Sequence, residues 1–264
     1  AVLGKASLEM AIAGIYELYD VPYTGSQAIA LGISLNKGLA KAIFKANDIP
    51  TPAFVIVDEE EFIPSDLNLA YPVIVKPVRE DASIGIDNNS ICDDEEALSN
   101  RIAFVHKELM QPALVEEYID GREINVAVLA NEKGIFETLP ISEITFDTMP
   151  AGNPRIVSYE AKWVEESPLY QTTIPKCPAY LDAVTAERAL QLALRSAAVV
   201  GLNDYGRIDM RLRESDGALF VLEANPNPDI SRDAGFLRAA SVKGLTHAET
   251  INAIVHCAMR RVKK

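Results

Sequence analysis

Gly206-Arg207-Ile208-Asp209 runs through Met210-Arg211-Leu212 into the turn signal Glu214-Ser215-Asp216-Gly217, and Leu219-Phe220-Val221-Leu222 runs out of it to Glu223-Ala224-Asn225. This is the pattern of a β-hairpin. Centred on Asp216, it sets Asp209 opposite Glu223 and Arg207 opposite Asn225. Because strand side chains alternate with period two, those four residues share one face. Two carboxylates directly opposite each other, about 5 Å apart, repel by on the order of 3 kcal/mol at an effective dielectric of about 20. A positive charge must offset this, and two readings supply it. Mg²⁺ with phosphate oxygens suits two carboxylates and an amide oxygen, which are hard ligands, with Arg207 placed to neutralise developing oxyanion charge. The plainer reading is a solvated hairpin face balanced by Arg207.

Outward from the hairpin, Thr185 to Val200 reads as a helix with Leu190, Ala193, Leu194, Ala197 and Ala198 on its buried face and Gly201 as its stop. Ala234 to Ala240 and His247 to Val262 read as two helices separated by Gly244. Leu114 to Ile119 reads as a strand or extended hinge, Asp120-Gly121 as a turn, and Glu123 to Leu129 as a strand that returns through Asn131-Glu132-Lys133-Gly134 to Ile135-Phe136-Glu137. Neighbouring strands with few helices between them predict an antiparallel sheet in an α+β fold, not a doubly wound parallel one. There is no G-x-G-x-x-G. Tyr159-Glu160-Ala161-Lys162-Trp163 supplies an exposed lysine, followed by a connection through Pro168, Pro175 and Pro178.

Tyr71 to Pro77 reads as a strand delivering Lys76 at the edge of a buried sheet, where an ammonium can meet a ligand. The loop from Val78 to Gly85 can wrap phosphate with backbone N–H groups, though it is not a Walker motif. Phe54 to Val57 reads as a strand, Asp93 to Leu109 as a surface helix, and Glu9 to Tyr19 as a helix ended by Asp20-Val21-Pro22. Ser34 is expected to cap a helix from Leu35 to Ala46 whose apolar face is Leu35, Leu39, Ala42, Ile43 and Ala46. Lys37, Lys41 and Lys45 form a separate stripe, either a solvated face or a seat for phosphates.

The 264 residues are 48% hydrophobic, enough for a sizeable core, and carry a net charge of −13. An acidic chain is a poor sequence-independent partner for nucleic acid, so anionic substrates require local basic clusters. No apolar run approaches the roughly 18 to 20 residues of a membrane span. Cys92, Cys177 and Cys257 are odd in number and widely spaced, which indicates neither a disulfide framework nor a zinc site and fits a reducing cytoplasm. His106, His247 and His256 read as structural or surface residues. The chain opens on Ala1 within a helical stretch, so a preceding segment is expected.

Pro22-Tyr23-Thr24-Gly25-Ser26, Lys37, Val73-Ile74-Val75-Lys76-Pro77, Glu116 to Glu123, Tyr159-Glu160-Ala161-Lys162, Arg207-Ile208-Asp209 and Leu222-Glu223-Ala224-Asn225 occur in one order. That order resembles the D-alanine–D-alanine ligase branch of the ATP-grasp superfamily. The resemblance implies two α+β subdomains gripping ATP: 1–33 as the tail of a first domain and linker, 34–110 as the central subdomain, and 111–264 as the C-terminal subdomain with the metal and catalytic site. It implies a carboxylate–amine ligase working through an acyl phosphate on amino-acid-like substrates, with a homodimer compatible.

By the same resemblance, Lys37 and Lys76 match the nucleotide-phosphate lysines and Lys162 the third lysine near the transferring phosphate. Ser83 lies in the phosphate-covering loop. Glu116, Glu117, Tyr118 and Ile119 match the adenine hinge, with Glu116 nearest the amino group, and Glu123 matches the ribose carboxylate. Asp209, Glu223 and Asn225 match the ligands of two Mg²⁺ ions, with Mn²⁺ as an alternative, and Arg207 the arginine facing the acyl phosphate and tetrahedral intermediate. The sequence departs from the family where Glu80-Asp81-Ala82-Ser83 stands for Glu-Gly-Ser-Ser, Trp163 for Tyr, Asp229 for Gly, and Ala234-Gly235 for Ser-Leu. These departures gather on the acceptor side. They predict an acceptor other than a second D-alanine, one that is larger, cationic or without a free α-carboxylate. A D-alanine–D-alanine ligase proper and a nucleotide-binding protein without ligase activity are the alternatives. Metal-free Glu223→Gln protein is expected to be as stable as the parent or slightly more so, since one of two repelling carboxylates is gone.

Overall fold

The computed structural model describes residues 5–58 and 67–261; the readings at Ala1 and Val262 lie outside them. In chain order the elements are α1 (Leu8–Leu18), α2 (Ala28–Leu35), α3 (Lys37–Ala46), β1 (Phe54–Val57), β2 (Val73–Pro77), β3 (Ile91–Cys92), α4 (Glu95–Glu108), β4 (Ala113–Glu117), β5 (Gly121–Ala130), β6 (Phe136–Thr138) and β7 (Ser142–Thr145). There follow α5 (Tyr159–Trp163), α6 (Pro168–Thr172), β8 (Ile174–Lys176), α7 (Ala183–Val199), β9 (Tyr205–Arg213), β10 (Leu219–Asn225), α8 (Gly235–Val242) and α9 (His247–Arg260).

The strands form two antiparallel sheets, as the run of neighbouring strands predicts. The first has the order β1-β4-β2-β3. It packs Val73, Val75 and Val115 against Leu98, Ile102 and Val105 of α4, whose first turn is capped by Asp94. The second runs β10-β9-β5-β7-β8, with β6 also on β5. One face carries Ile124, Val126, Ile208 and Met210 against α3 and α7. The other carries Ala127, Leu129 and Tyr205 against Phe236 of α8 and Ile254 of α9. Ahead of Ala127 on that second face stand Glu123 and Asn125, and their cross-strand partners are Arg211 and Asp209. Strand alternation alone therefore sets a polar, functional patch and an apolar core side by side along β5.

The hairpin β9–β10 pairs Glu223 with Asp209 and Asn225 with Arg207, as expected. Nearer the turn the pairing is Val221 with Met210, so Leu222 is the extra residue of a β-bulge. Without that bulge the ladder would continue out of phase and Glu223 would point into the core. Val221 is held from outside the hairpin: its N–H donates to the Pro50 carbonyl and its carbonyl accepts from Thr51 Oγ1.

Several expectations are corrected. Ser34 caps nothing; it is buried in α2, a helix that the sequence pattern did not announce. Asn36, in extended conformation, separates α2 from α3 and caps α3 by accepting from the Leu39 N–H. The buried face of α3 is Lys37, Gly38, Ala40, Lys41 and Phe44, whereas Leu39, Ala42 and Ala46 are exposed. The helix turns two lysines inward because carboxylates of β4 and β10 await them. On α7, which begins directly after the Asp182 cap, Ala189, Leu192, Ala193, Ser196 and Ala197 are buried, Leu190 and Leu194 only partly, and Ala198 is exposed. The proline-rich connection contains α6, with Pro168 in its first turn, and the edge strand β8, where Pro175 leaves no inner ladder bond unmade. The first sheet takes in β4, beyond residue 110, and α3 packs on the second sheet although it precedes β1.

Candidate active site

The two sheets face each other across a cleft of about 800 Å³ lined by Lys37, Lys76, Lys162, Glu116, Glu123, Arg207, Asp209, Glu223 and Asn225, among others. Every residue expected at the site from the sequence, Ser83, Glu117, Tyr118 and Ile119 included, is brought to its wall.

On the hairpin face Arg207 grips Asp209 through Nε and a terminal nitrogen, each at 2.7 Å. Asp209 also accepts from Asn125 Nδ2 at 2.7 Å and Asn225 Nδ2 at 2.8 Å. Lys37 Nζ meets Glu223 Oε2 at 2.6 Å. The repulsion between Asp209 and Glu223 is therefore offset within the protein by Arg207 and, from a different element, by Lys37. Burial works against the Glu223 charge, and Lys37, followed by Lys76 and Arg207, outweighs it and holds the carboxyl well below the usual carboxylate range. The donor set fits Mg²⁺: it is all oxygen, and the Asn225 amide directs its nitrogen at Asp209, leaving its carbonyl oxygen for a ligand. Among the described residues no three His, Cys, Asp or Glu side chains form a metal cluster.

On β4, in the first sheet, Glu116 is 1% exposed, with Lys76 Nζ at 2.5 Å from one oxygen and Lys41 Nζ at 2.6 Å from the other. Burial opposes its ionisation, but Lys41 and Lys76 prevail and bring its pKa down to about 2. Its carboxylate is thus committed to two lysines. Of the hinge N–H groups, Glu117 donates to the Ala53 carbonyl and Tyr118 to that of Pro72, and Ile119 follows them on the cleft wall. Glu123 pairs with Arg211 at 3.1 Å, and burial, opposed by Arg211, raises its carboxyl above the usual range.

The loop after β2, on the cleft wall, has Ala82 and Ser83 at φ of 52° and 62°, in the left-handed region. It is docked: Ser83 Oγ donates to the Val157 carbonyl at 2.7 Å and Trp163 Nε1 to that of Ala82 at 2.9 Å. Lys162 lies 5.5 Å from the Trp163 ring centre. On the acceptor side Asp229 accepts from both the N–H and the hydroxyl of Ser231, and Arg238 donates to the Asp233 carbonyl.

Sequence reasoning missed Asn125, Arg211, Lys41 and Arg238. Asn125 and Arg211 were within reach, since each lies two residues from a recognised site residue on the same strand face. Lys41 was visible in the lysine stripe but not its burial. Arg238, one turn inside α8, gave no signal.

Two antiparallel sheets gripping a cleft lined by lysines at one side and a carboxylate–amide hairpin at the other define an ATP-grasp α+β protein. The family model described as "D-ala D-ala ligase C-terminus" matches residues 43–256, and the chain belongs to that family. It is 33% identical over 251 residues to the uncharacterized protein y4sG of Sinorhizobium fredii, covering 95% of this chain and 70% of the relative. To the D-alanine–D-alanine ligase of Alcanivorax borkumensis it is 31% identical over 261 residues, covering 99% and 76%. The crystal structure of the Bacillus anthracis D-alanine–D-alanine ligase complexed with ATP shares the fold at a TM-score of 0.75 and 23% identity, over 94% of this chain and 74% of that one.

Proposed function

We propose that the chain is an ATP-dependent carboxylate–amine ligase acting on amino-acid-like substrates through an acyl phosphate. The observation that carries this is Arg207, presented on the same strand face as Asp209, Glu223 and Asn225 and opposite Lys76 and Lys162 across one cleft. Holding a nucleotide needs lysines and a hinge. It does not need a guanidinium beside the acyl centre.

In this reading a substrate carboxylate oxygen attacks the γ-phosphorus, the bond to the β,γ-bridging oxygen breaks, and ADP leaves. Lys37, Lys76 and Lys162 bear on the phosphates, Ile119 and Glu123 on the nucleoside. The amine then attacks the acyl carbon, Arg207 faces the tetrahedral oxyanion, and the carbon–oxygen bond to phosphate breaks to release phosphate. Asp209, Glu223 and Asn225 would hold two Mg²⁺, or Mn²⁺, which neutralise phosphate oxygens. Charge balance supports this: the hairpin corner is already paired by Lys37 and Arg207, and two divalent ions with a tetra-anionic triphosphate add no net charge. The docked loop keeps water from the acyl phosphate. Its bonds to Val157 and Trp163 predict that hydrogen exchange at Asp81 to Gly85 slows further when nucleotide is added, and unchanged exchange counts against a lid.

The ATP-bound relative and the family membership support the nucleotide assignment. Phosphate release with MgATP across pools of amino acids tests the whole. Release with some pool names substrates, whereas analogue binding without release from any pool would leave a nucleotide-binding protein.

A further inference from the structure

Lys41 is not part of the cleft wall, yet it is the most completely buried cation of the site, at 1% exposure. An ammonium so deep is strongly penalised by desolvation unless well paired. Its pairing runs in two directions. One arm is Glu116 Oε2 at 2.6 Å, and the other oxygen of Glu116 holds Lys76. The second arm is Thr51 Oγ1 at 2.7 Å, and that hydroxyl donates to the Val221 carbonyl at 2.8 Å. Val221 is the last residue before the bulge that turns Glu223 to the cleft. From α3 one ammonium therefore reaches the first sheet's phosphate lysine and the second sheet's metal-side carboxylate.

We infer that Lys41 is a positioning residue that sets Lys76 through Glu116 and Glu223 through Thr51 and the Leu222 bulge, so that the nucleotide and metal sites are held in one frame. The inference rests on the ligase reading for which ligands occupy those sites. A buried ion pair that merely packs would give up stability when removed but would not affect two sites by separable routes.

The test compares Lys41→Met, Thr51→Val, Thr51→Ser and Glu116→Gln. Calorimetry gives the affinity for a non-hydrolysable ATP analogue without metal and for Mn²⁺ at saturating analogue. Lys41→Met is expected to weaken both at least tenfold. Thr51→Val should weaken Mn²⁺ at least fivefold and the metal-free analogue less than twofold, Glu116→Gln should do the reverse, and Thr51→Ser should restore the parent values. Should Lys41→Met not fold, the three remaining variants decide. Equal effects of Thr51→Val and Glu116→Gln on both ligands, or none on either, overturn the inference, as does a parent protein that binds no analogue. A parent that binds both ligands but releases no phosphate with any acceptor sinks the ligase reading and leaves this one standing.

Discussion

The two ends of the cleft differ in how their charges are held. At the nucleotide and metal end Glu116 has Lys41 and Lys76, Glu123 has Arg211 and Glu223 has Lys37, each a cation from another element, while Asp209 has Arg207 two residues away on its own strand. At the acceptor end Asp229 is fixed by the serine two residues on, and Arg238 by a backbone carbonyl. One end is a charge lattice whose members are paired within the protein. The other is built from local turns that can be rewritten one residue at a time, and it is where the sequence departs from the motifs of the family it resembles.

If the lattice is the chemical engine, its largest sensitivity is at Arg207. Arg207→Met should lower kcat about 10³-fold while leaving analogue affinity within a few-fold, because the guanidinium acts on charge that exists only during reaction. Asp209 keeps Asn125 and Asn225 as donors, so the fold survives. Equal losses in kcat and binding would move Arg207 into the general lattice and blur the comparison.

Glu116 tests the lattice as structure. Its pKa, brought from an ordinary carboxylate value to about 2, means its contribution is fully present above about pH 4.5 and is lost as pH falls towards 2. The shift corresponds to on the order of 3 kcal/mol, reduced by the cost of Lys41, whose pKa burial lowers. Glu116→Gln should therefore be less stable at pH 7, and its stability should fall less steeply than the parent's between pH 4.5 and 2. Parallel acid limbs in the two urea-denaturation series would contradict this.

Glu223→Gln is a smaller perturbation. Repulsion from Asp209 alone predicted neutrality or a gain, but the 2.6 Å contact with Lys37 reverses the sign. A glutamine oxygen can still accept from Lys37, so a loss of about 1 kcal/mol in metal-free protein is expected, with metal-dependent turnover abolished. A stability gain in thermal melts would restore the repulsion argument.

The legibility of the molecule follows the same divide. The antiparallel architecture, both strands of the hairpin and its facing residues were readable because period-two alternation and turn residues are local signals. The bulge was not, since it depends on Pro50 and Thr51 clasping Val221 from a distant segment. The inward turn of Lys37 and Lys41 defeated a helical-face reading for the same reason: a lysine face becomes the buried one only when carboxylates from β4 and β10 are already there. The pairing of the Glu116 carboxylate with Lys41 and Lys76 was equally hidden, because its partners come from α3 and β2.

The smallest expected effect lies at the acceptor end, where single substitutions should redirect specificity without touching the lattice. Asp229 occupies a position where the resemblance has glycine, and the two Ser231 hydrogen bonds, which hold its carboxyl below the usual range with Lys162 and Arg207 contributing, keep it charged and in place. A free α-carboxylate arriving there meets a fixed negative charge, and with Ala82 and Ala234 it also lacks two hydroxyl donors, at roughly 1 to 3 kcal/mol for each bond a substrate relied on. D-alanine should thus be a poor acceptor beside a larger amine, a cationic one or an amide. Asp229→Gly should raise kcat/KM for D-alanine about tenfold and change kcat/KM for an amide acceptor less than threefold, with analogue affinity constant. Product analysis showing D-alanyl-D-alanine formed by the parent at least as fast as any other product would erase the contrast between the two ends and return the chain to plain D-alanine–D-alanine ligase activity.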